Sequence, residues 1–285
     1  MNDQNNQKII ADKYVLENII SNGTFGAVFK GKSITTNDTV AIKFENPGMK
    51  SLKHETKILN YLYSNKVRII PAIYWYGLYN TIPCLIMTYY EYSLKTYFER
   101  NTTEKLDKIM ANLIRILSIL HKEFIIHRDI KPENFMIKGG DLYIIDFGLA
   151  TFFIDEEGKH LPNEHSETII GSPRWISIHI FEGNRYSRRD DLISIGYIYF
   201  KYYFGNTPWE PEDIELNIDL NSLEQIDDIL NITHPINKIR KERRSIDMFK
   251  KLLANDSKII NYFEAVYAYE YMDKPDYNKL IEIFL

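Results

Sequence analysis

The spacing of apolar residues changes along this chain, and that change limits the folds it can adopt. Up to about residue 90, apolar residues occur in short β-branched or aromatic runs at residues 14–20, 27–30, 39–43 and 84–87. Such runs, bounded by glycine, asparagine or proline, predict β-strands. From residue 106 onward the apolar residues recur three and four positions apart, which predicts helices. We therefore expect an α+β fold, with a small β-rich part followed by a larger, mainly α part.

Each part has one principal predicted helix. Residues 52–63 form the first, with one apolar face made by Leu52, Ile58, Leu59 and Leu62. The second carries a long apolar stripe made by Leu106, Ile109, Met110, Leu113, Ile114, Leu117 and Leu120. Further helices are expected over residues 191–204, 246–253 and 258–271. The boundary between the parts is expected near residues 88–92, where a strand is followed by a polar connector.

Composition excludes several kinds of protein. The chain has 285 residues and a formal charge of -4, so its overall charge gives no reason to expect nucleic acid or an anionic membrane as a partner. Cys84 is the only cysteine, which excludes an intramolecular disulfide and favours a reducing compartment. Residues 1–7 lack the pattern of a signal peptide, and the apolar run at residues 193–204 is too short to span a bilayer. We expect an intracellular protein, in the cytoplasm or nucleus.

Two motifs between residues 127 and 148 contain the residue types that phosphoryl transfer requires. That reaction needs oxygen ligands for a metal ion, a cation near the phosphates and a group that orients the attacking hydroxyl. The sequence HRDIKPEN at residues 127–134 matches the catalytic loop of eukaryotic protein kinases at every fixed position, and DFG follows at residues 146–148. A chance polar loop would not place so many fixed residue types at fixed spacing. The chain therefore resembles the eukaryotic protein kinases.

This resemblance implies a role for each residue of the two motifs. Asp129 is expected to orient the substrate hydroxyl and accept its proton, and Lys131 to contact the γ-phosphate of ATP. Asn134 and Asp146 are expected to bind Mg²⁺ between the phosphates, since hard oxygen ligands suit a hard cation. The cofactors implied are ATP and Mg²⁺.

The resemblance also implies a nucleotide-binding surface in the β-rich part. The segment SNGTFGAV at residues 21–28 has two of the three glycines of the family's phosphate-covering loop, with Ser21 in place of the first. Alone it could be an ordinary hairpin, but VAIK at residues 40–43 favours the nucleotide-binding interpretation. The residues expected to surround the nucleotide are Ile20, Ser21, Asn22, Gly23, Thr24, Phe25, Gly26, Ala27, Val28 and Ala41.

Two further predictions concern the walls of this surface. Lys43 is expected to pair with the α- and β-phosphates and with the Glu55 carboxylate. The alternative interpretation of Glu55 is a charged side chain on the solvated face of the helix. Met87 is expected at the back of the adenine site, where plain core packing is the alternative, and backbone groups of Thr88 and Tyr90 are expected to bind the adenine edge. In the helical part, Asp191 is expected to be the buried aspartate that holds the catalytic-loop backbone.

Three segments resemble casein kinase I. They are YIIDFGLA at residues 143–150, SRRDDLISIGY at 187–197 with TPW at 207–209, and DKPDY at 273–277. Residues 177–179 are Ser-Ile-His, close to that family's Ser-Ile-Asn, where most kinases have Ala-Pro-Glu. The resemblance implies a bilobal protein-kinase fold over residues 1–285, with an N-lobe at 14–89 and a C-lobe at 90–285. Its partners would be protein substrates with serine or threonine acceptors, because Lys131 and Ser172 are typical of serine/threonine kinases.

The sequence leaves alternatives open for the preferred substrate and for whether the chain is catalytically active. Casein kinase I enzymes favour acidic or phosphorylated sequences, and Arg174 is retained here, but residues 210–228 are acid-rich where that family tends to be basic. A preference for acidic substrates is therefore a hypothesis. A pseudokinase scaffold is disfavoured because Lys43, Asp129 and Asp146 are all present. A small-molecule phosphotransferase is disfavoured by the Lys-Pro-Glu spacing and by the long segment after Asp146.

Overall fold

The chain separates into two compact units. The computed structural model describes residues 8–23, 26–100, 105–210, 230–253 and 257–285. The first unit comprises Met1–Ser93 and Phe135–Gly148, and the second comprises Leu94–Asn134 and Leu149–Leu285. Because the first unit draws on two separate segments, the linear division at residues 89 and 90 stays a prediction.

Short strands dominate the first unit, and helices dominate the second. Within the described ranges, the strands are β1 (Ile9–Ile10), β2 (Tyr14–Gly23), β3 (Gly26–Ser33), β4 (Thr39–Glu45), β5 (Ile73–Tyr79), β6 (Ile82–Thr88), β7 (Tyr92–Ser93), β8 (Ile125–Ile126), β9 (Phe135–Lys138), β10 (Asp141–Ile144) and β11 (Thr151–Phe152). The helices are α1 (Ser51–Ser64), α2 (Leu94–Arg100), α3 (Leu106–Lys122), α4 (Ile178–Phe181), α5 (Arg188–Phe204), α6 (Pro235–Glu242), α7 (Ile246–Leu252), α8 (Ser257–Tyr267) and α9 (Tyr277–Glu282).

The first unit is built on an antiparallel sheet with strand order β1-β2-β3-β4-β6-β5. Successive side chains of a strand point to opposite faces of the sheet. In β4, Val40 and Ile42 therefore lie on one face, where they pack with Ile10, Cys84 and Ile86 in a buried cluster. The next residues in that strand belong to the other face. This alternation puts the buried cluster on one side of the sheet and Lys43 on the opposite side.

Helix α1 supplies the other principal element of the first unit. Leu52, Ile58, Leu59 and Leu62 are all buried, as the predicted apolar face requires. The carboxylate of Glu45, at the end of β4, accepts the Leu52 N–H at 2.7 Å and the Ser51 hydroxyl at 3.3 Å. It thereby caps the start of α1 in place of an N-cap side chain. A smaller sheet of order β10-β9-β7 completes the unit and leads the chain to Asp146.

The second unit is held together mainly by helix packing. The stripe predicted for α3 is confirmed, since all its residues except the half-buried Ile109 are buried. Helix α5 is buried at every position from Arg189 to Phe200. Helix α8 ends at Tyr267, so the predicted helix over residues 258–271 was too long. The Glu270 N–H is bonded at 2.8 Å to the carboxylate of Asp273, a local bond that replaces continuation of the helix.

Within the described ranges, none of the helices combines the length and the apolar character that crossing a membrane requires.

The crossing of α5 and α8 depends on Gly196. A methyl group at this position would lie 2.6 Å from Phe263 Cε1 and 3.1 Å from Tyr262 Cε1. Both rings are fully buried, so neither can swing aside into solvent. The absence of a side chain at Gly196 therefore sets the close approach of the two helices.

We expect Gly196→Ala to lower the free energy of unfolding by roughly 1 to 2 kcal/mol, because overpacking outweighs the gain in helix propensity. Urea denaturation followed by circular dichroism measures this change. Gly23→Ala is the matched control, since contacts of the kind seen at Gly196 are absent there among the described residues, chain neighbours aside. Equal free energies of unfolding for the two variants would contradict the prediction, because they would show that the added methyl group does not strain the contact between α5 and α8.

Candidate active site

A buried group of three charged side chains lies in the first unit. Lys43 Nζ, on β4, is 2.7 Å from Glu55 Oε2 on α1 and 2.9 Å from Asp146 Oδ1. Glu55 is 1% exposed, which excludes the solvated helix charge. Its other oxygen accepts the Phe147 N–H at 3.2 Å. The predicted ion pair between Lys43 and Glu55 is therefore present, and Glu55 also holds the chain beside Asp146.

The charges in this group do not balance. Burial alone would lower the pKa of Lys43, but the carboxylates of Glu55 and Asp146 raise it above its ordinary value. Lys43 therefore stays positively charged throughout the physiological pH range. Burial raises the pKa of Glu55 despite the nearby ammonium group. One cation faces two carboxylates, and Asp146 is the more exposed of the two. The spare carboxylate charge and its oxygen donors suit a divalent cation such as Mg²⁺.

The predicted adenine-binding residues extend along the sheet from Lys43. Ala41 lies two residues before Lys43 on the same face of β4, and Met87 of β6 is its direct partner across the strands. Val28 of β3 is the direct partner of Lys43, and Ile20 is half exposed. Val28, Ala41, Lys43 and Met87 share one face of the sheet, opposite the buried cluster that contains Val40 and Ile42.

The backbone groups expected to bind the adenine edge lie at the end of β6. The N–H of Thr88 donates to the Ala72 carbonyl at 3.0 Å. Tyr90 is buried and packs its ring 4.9 Å from that of Tyr143. Of the Thr88 backbone groups, only the carbonyl is therefore a candidate for adenine recognition.

The glycine-containing loop joins β2 and β3 as a hairpin. Ser21, Asn22 and Ala27 are in the paired strands, and Gly23 pairs with Gly26. Thr24 and Phe25 lie outside the described residues. A side chain at Gly26 would meet the Phe44 carbonyl oxygen at 1.8 Å, so the close approach of β4 requires glycine there. Among the described residues no such contact explains Gly23, and these surroundings fit the close approach of a ligand to the backbone.

The second unit contains a separate polar group around Asp129, which is 5% exposed. Its Oδ2 accepts hydrogen bonds from Lys131 Nζ at 2.7 Å and from Asn134 Nδ2 at 3.1 Å. Its Oδ1 accepts the Ser172 hydroxyl at 2.8 Å, and Lys131 Nζ also donates to that hydroxyl oxygen at 3.2 Å. The sequence-predicted residues Asp129, Lys131 and Asn134 are thus brought together, with Ser172 beside them.

The orientation of Asn134 identifies its available ligand atom. Its amide nitrogen donates to both the carbonyl and the carboxylate of Asp129. This assigns Nδ2 to the protein, so the oxygen Oδ1 is the amide atom suited to a hard cation.

Asp191 holds the catalytic loop in place. Its Oδ2 accepts the His127 N–H at 2.7 Å, and its Oδ1 accepts the Arg128 N–H at 3.0 Å. Asp191 is fully buried, so the predicted role is confirmed. The backbone of Arg128 has a φ of 66°, in the left-handed region that non-glycine residues seldom adopt. The two bonds to Asp191 help to stabilise this strained turn.

These two polar groups contain the residue types of a phosphoryl-transfer site: a buried cation, hard oxygen ligands and a positioned carboxylate. The family described as "Protein kinase domain" matches residues 14–272 of the chain. The chain belongs to the protein kinase family. The kinase has the predicted bilobal α+β fold, with a first unit rich in strands and a second rich in helices.

The kinase is also similar to one relative over almost its whole length. The kinase is 26% identical over 289 residues to "Casein kinase I homolog 2" of Schizosaccharomyces pombe. The match covers 97% of this chain and 62% of the relative, so the chain spans less than two thirds of that protein's length.

The kinase contains supporting residues that the sequence did not identify. His121 Nε2 is 3.2 Å from Asp191 Oδ2, and its Nδ1 is 2.8 Å from the Tyr277 hydroxyl. Burial lowers the pKa of His121, which favours the neutral ring. His121 follows Leu117 by four residues and so continues the apolar stripe of α3. A histidine on an apolar stripe indicates a buried side chain that needs a polar partner, so the sequence did contain a signal for His121.

We expect Asp191→Asn to lower the free energy of unfolding by about 2 to 4 kcal/mol, because an amide cannot accept both backbone N–H groups through two oxygens. Urea denaturation measures this loss. Asp155→Asn is the matched control: a single oxygen, Oδ1, accepts the N–H groups of Glu157 and Lys159, and an amide oxygen can do the same. Similar losses in the two variants would contradict the role given to Asp191.

Proposed function

We propose that the chain is an ATP- and Mg²⁺-dependent serine/threonine protein kinase of casein kinase I type. It transfers the γ-phosphoryl group of ATP to serine or threonine hydroxyls of proteins. The main support is the arrangement around Asp129, whose carboxylate lies beside the Lys131 ammonium group and already accepts a hydrogen bond from a serine hydroxyl.

The Asp129 carboxylate is suited to orient an acceptor hydroxyl. The Ser172 hydroxyl already makes a hydrogen bond of this kind, since its Oγ donates to Asp129 Oδ1 at 2.8 Å. A substrate hydroxyl bound to this carboxylate points its oxygen lone pair away from the carboxylate, and its proton is held by the base. Lys131 Nζ, 2.7 Å from Asp129 Oδ2, places a positive charge beside the proposed base, where it can stabilise the negative charge of a phosphate that the hydroxyl attacks. We assign Lys131 to the γ-phosphate.

The first unit is suited to hold the nucleotide. Lys43 presents a permanent positive charge for the α- and β-phosphates, and Glu55 fixes the position of that charge. Asp146 of this unit is a proposed Mg²⁺ ligand, and Asn134, which belongs to the second unit, is the other. When bound, the metal ion neutralises phosphate charge. Ala41 and Met87 form the apolar surface for adenine.

Two observations support the choice of hydroxyl and of kinase branch. Lys131 contacts Ser172, and this lysine–serine combination is the one that predicted a serine/threonine kinase. The relative named "Casein kinase I homolog 2" matches over nearly the whole chain, in agreement with the Ser-Ile-His element at residues 177–179.

The test is transfer of label from [γ-³²P]ATP to casein by the purified protein with Mg²⁺. We expect Asp129→Asn to lower the rate by roughly 100-fold or more, because it removes the base. Asp141→Asn, an exposed aspartate at the start of β10, is the matched control and should retain the wild-type rate. Chelation of Mg²⁺ should abolish transfer, and hydrolysed casein should contain phosphoserine or phosphothreonine.

Equal incorporation by the wild type and Asp129→Asn would contradict the catalytic assignment. Absence of incorporation by a folded wild-type protein would favour the scaffold alternative. Label found only on tyrosine would contradict the proposed acceptor.

A further inference from the structure

Glu210 is held next to the segment that contains Arg174. It directly follows Trp209, which is fully buried and whose ring centroid lies 4.5 Å from that of Tyr197. The indole Nε1 of Trp209 donates to the Arg174 carbonyl at 2.7 Å. Arg244 Nη2 donates to the same carbonyl at 2.8 Å. Buried groups therefore fix the residue that precedes Glu210 and the carbonyl of Arg174.

The carboxylate of Glu210 occupies a site between two guanidinium groups. Arg240 Nε is 3.1 Å from Glu210 Oε1, and Arg240 Nη2 is 3.2 Å from Glu210 Oε2. Arg174 Nη2 lies 3.9 Å from the same Oε2. Arg240 therefore binds the carboxylate through two parallel hydrogen bonds, and this bidentate geometry is stronger than a single hydrogen bond between an arginine and an anion. One carboxylate thus serves two cations, and we call Arg174 and Arg240 the arginine pair.

One member of the arginine pair, Arg174, lies close along the chain to Ser172, which contacts the proposed catalytic base. Ser172, two residues before Arg174, donates its hydroxyl to Asp129. Two residues of extended chain span only about 7 Å. A peptide that presents its own hydroxyl to Asp129 therefore brings its neighbouring side chains to the side chain of Arg174. That side chain is 48% exposed, so a peptide can reach it.

An anionic peptide side chain would compete with Glu210 for the arginine pair. Arginine clusters are a general means of recognising phosphorylated and acidic segments. Here the position of the peptide anion is already taken by a carboxylate of the same chain, which is fixed and only 18% exposed. A tethered group competes at a high effective concentration. The competition favours the internal carboxylate.

We propose that Glu210 is a specificity-determining residue, which occupies the arginine pair and removes the advantage that an acidic or phosphorylated peptide would otherwise have. This inference rests on the proposed kinase function. It sets this chain against the acidic preference that its resemblance to casein kinase I suggests. A purely structural Glu210 would neutralise Arg240 and affect stability, but it would leave peptide selectivity unchanged.

The test compares wild type, Glu210→Gln and Glu264→Gln on two serine peptides. One peptide has alanines before the acceptor, and the other has aspartates and one phosphoserine there. Glu264→Gln is the matched control, because Glu264 pairs with Lys250 at 2.7 Å and loses the same charge. The quantity measured is the selectivity ratio, kcat/KM for the anionic peptide divided by kcat/KM for the neutral one.

We expect a ratio near 1 for wild type and Glu264→Gln, and a ratio at least about 10-fold higher for Glu210→Gln, mainly through KM. Adding Arg174→Gln to Glu210→Gln should remove the gain, and high salt should reduce it. A high wild-type ratio, or an unchanged ratio in Glu210→Gln, would overturn the proposal.

A binding measurement separates this proposal from the kinase assignment. Fluorescence anisotropy with a labelled phosphoserine peptide requires no catalysis. Tighter binding by Glu210→Gln than by wild type would support the arginine pair even if no protein transferred phosphate, in which case only the kinase proposal would fail. Equal binding by both, with circular dichroism showing that both are folded, would contradict the role of Glu210.

Discussion

The buried ion pair between Lys43 and Glu55 is the interaction on which the first unit depends. Each charge alone would be costly in an apolar interior, and the contacts of Lys43 with Glu55 and Asp146 offset that cost. The contacts connect strand β4, helix α1 and the segment after β10. Removing one member of such a pair leaves an uncompensated buried charge, which typically costs about 3 to 5 kcal/mol. The same contacts that hold these elements together also fix the charge proposed to meet the phosphates.

The second unit also depends on a buried charge that is satisfied by nearby groups, and there the charge is the carboxylate of Asp191. Asp191 is a buried carboxylate whose oxygens accept two backbone N–H groups, and it thereby holds the loop that presents Asp129. In both units a backbone residue adopts the left-handed region, Arg128 in one and Asp146 in the other, each with a φ of 66°. Such conformations cost roughly 1 to 3 kcal/mol and persist when surrounding bonds enforce them. Of the residues in this conformation, Arg128 and Asp146 are the ones that lie in the motifs at residues 127–134 and 146–148.

Local patterns predicted the principal elements. The β-branched and aromatic runs identified β2, β3, β4 and β6, and the apolar stripe identified α3, because the residue types and periodicity that favour these elements are local features of the sequence. The motif spacing likewise predicted which residues surround Asp129. Strand β5 was not predicted, although its residues IYWYGLY form an aromatic run of the kind that predicts a strand.

Contacts between residues distant in sequence could not be predicted in this way. Tyr277 meets His121 from 156 positions away, and Glu210 meets Arg240 from 30 positions away. Residues 210–228 were described only as acid-rich, which does not distinguish a solvated glutamate from one that binds two arginines. Such pairings depend on how helices pack, and the pattern of a single segment contains no information about that packing.

The central claim is that the buried cation of the first unit serves phosphoryl transfer and not only folding. The single-turnover rate of phosphate transfer to casein by Lys43→Met tests it most directly, with Lys32→Met on the exposed side of β3 as the matched control. We predict that Lys43→Met lowers this rate by about 100-fold or more and that Lys32→Met leaves it unchanged. A folded Lys43→Met protein that transfers phosphate at the wild-type rate would contradict the account.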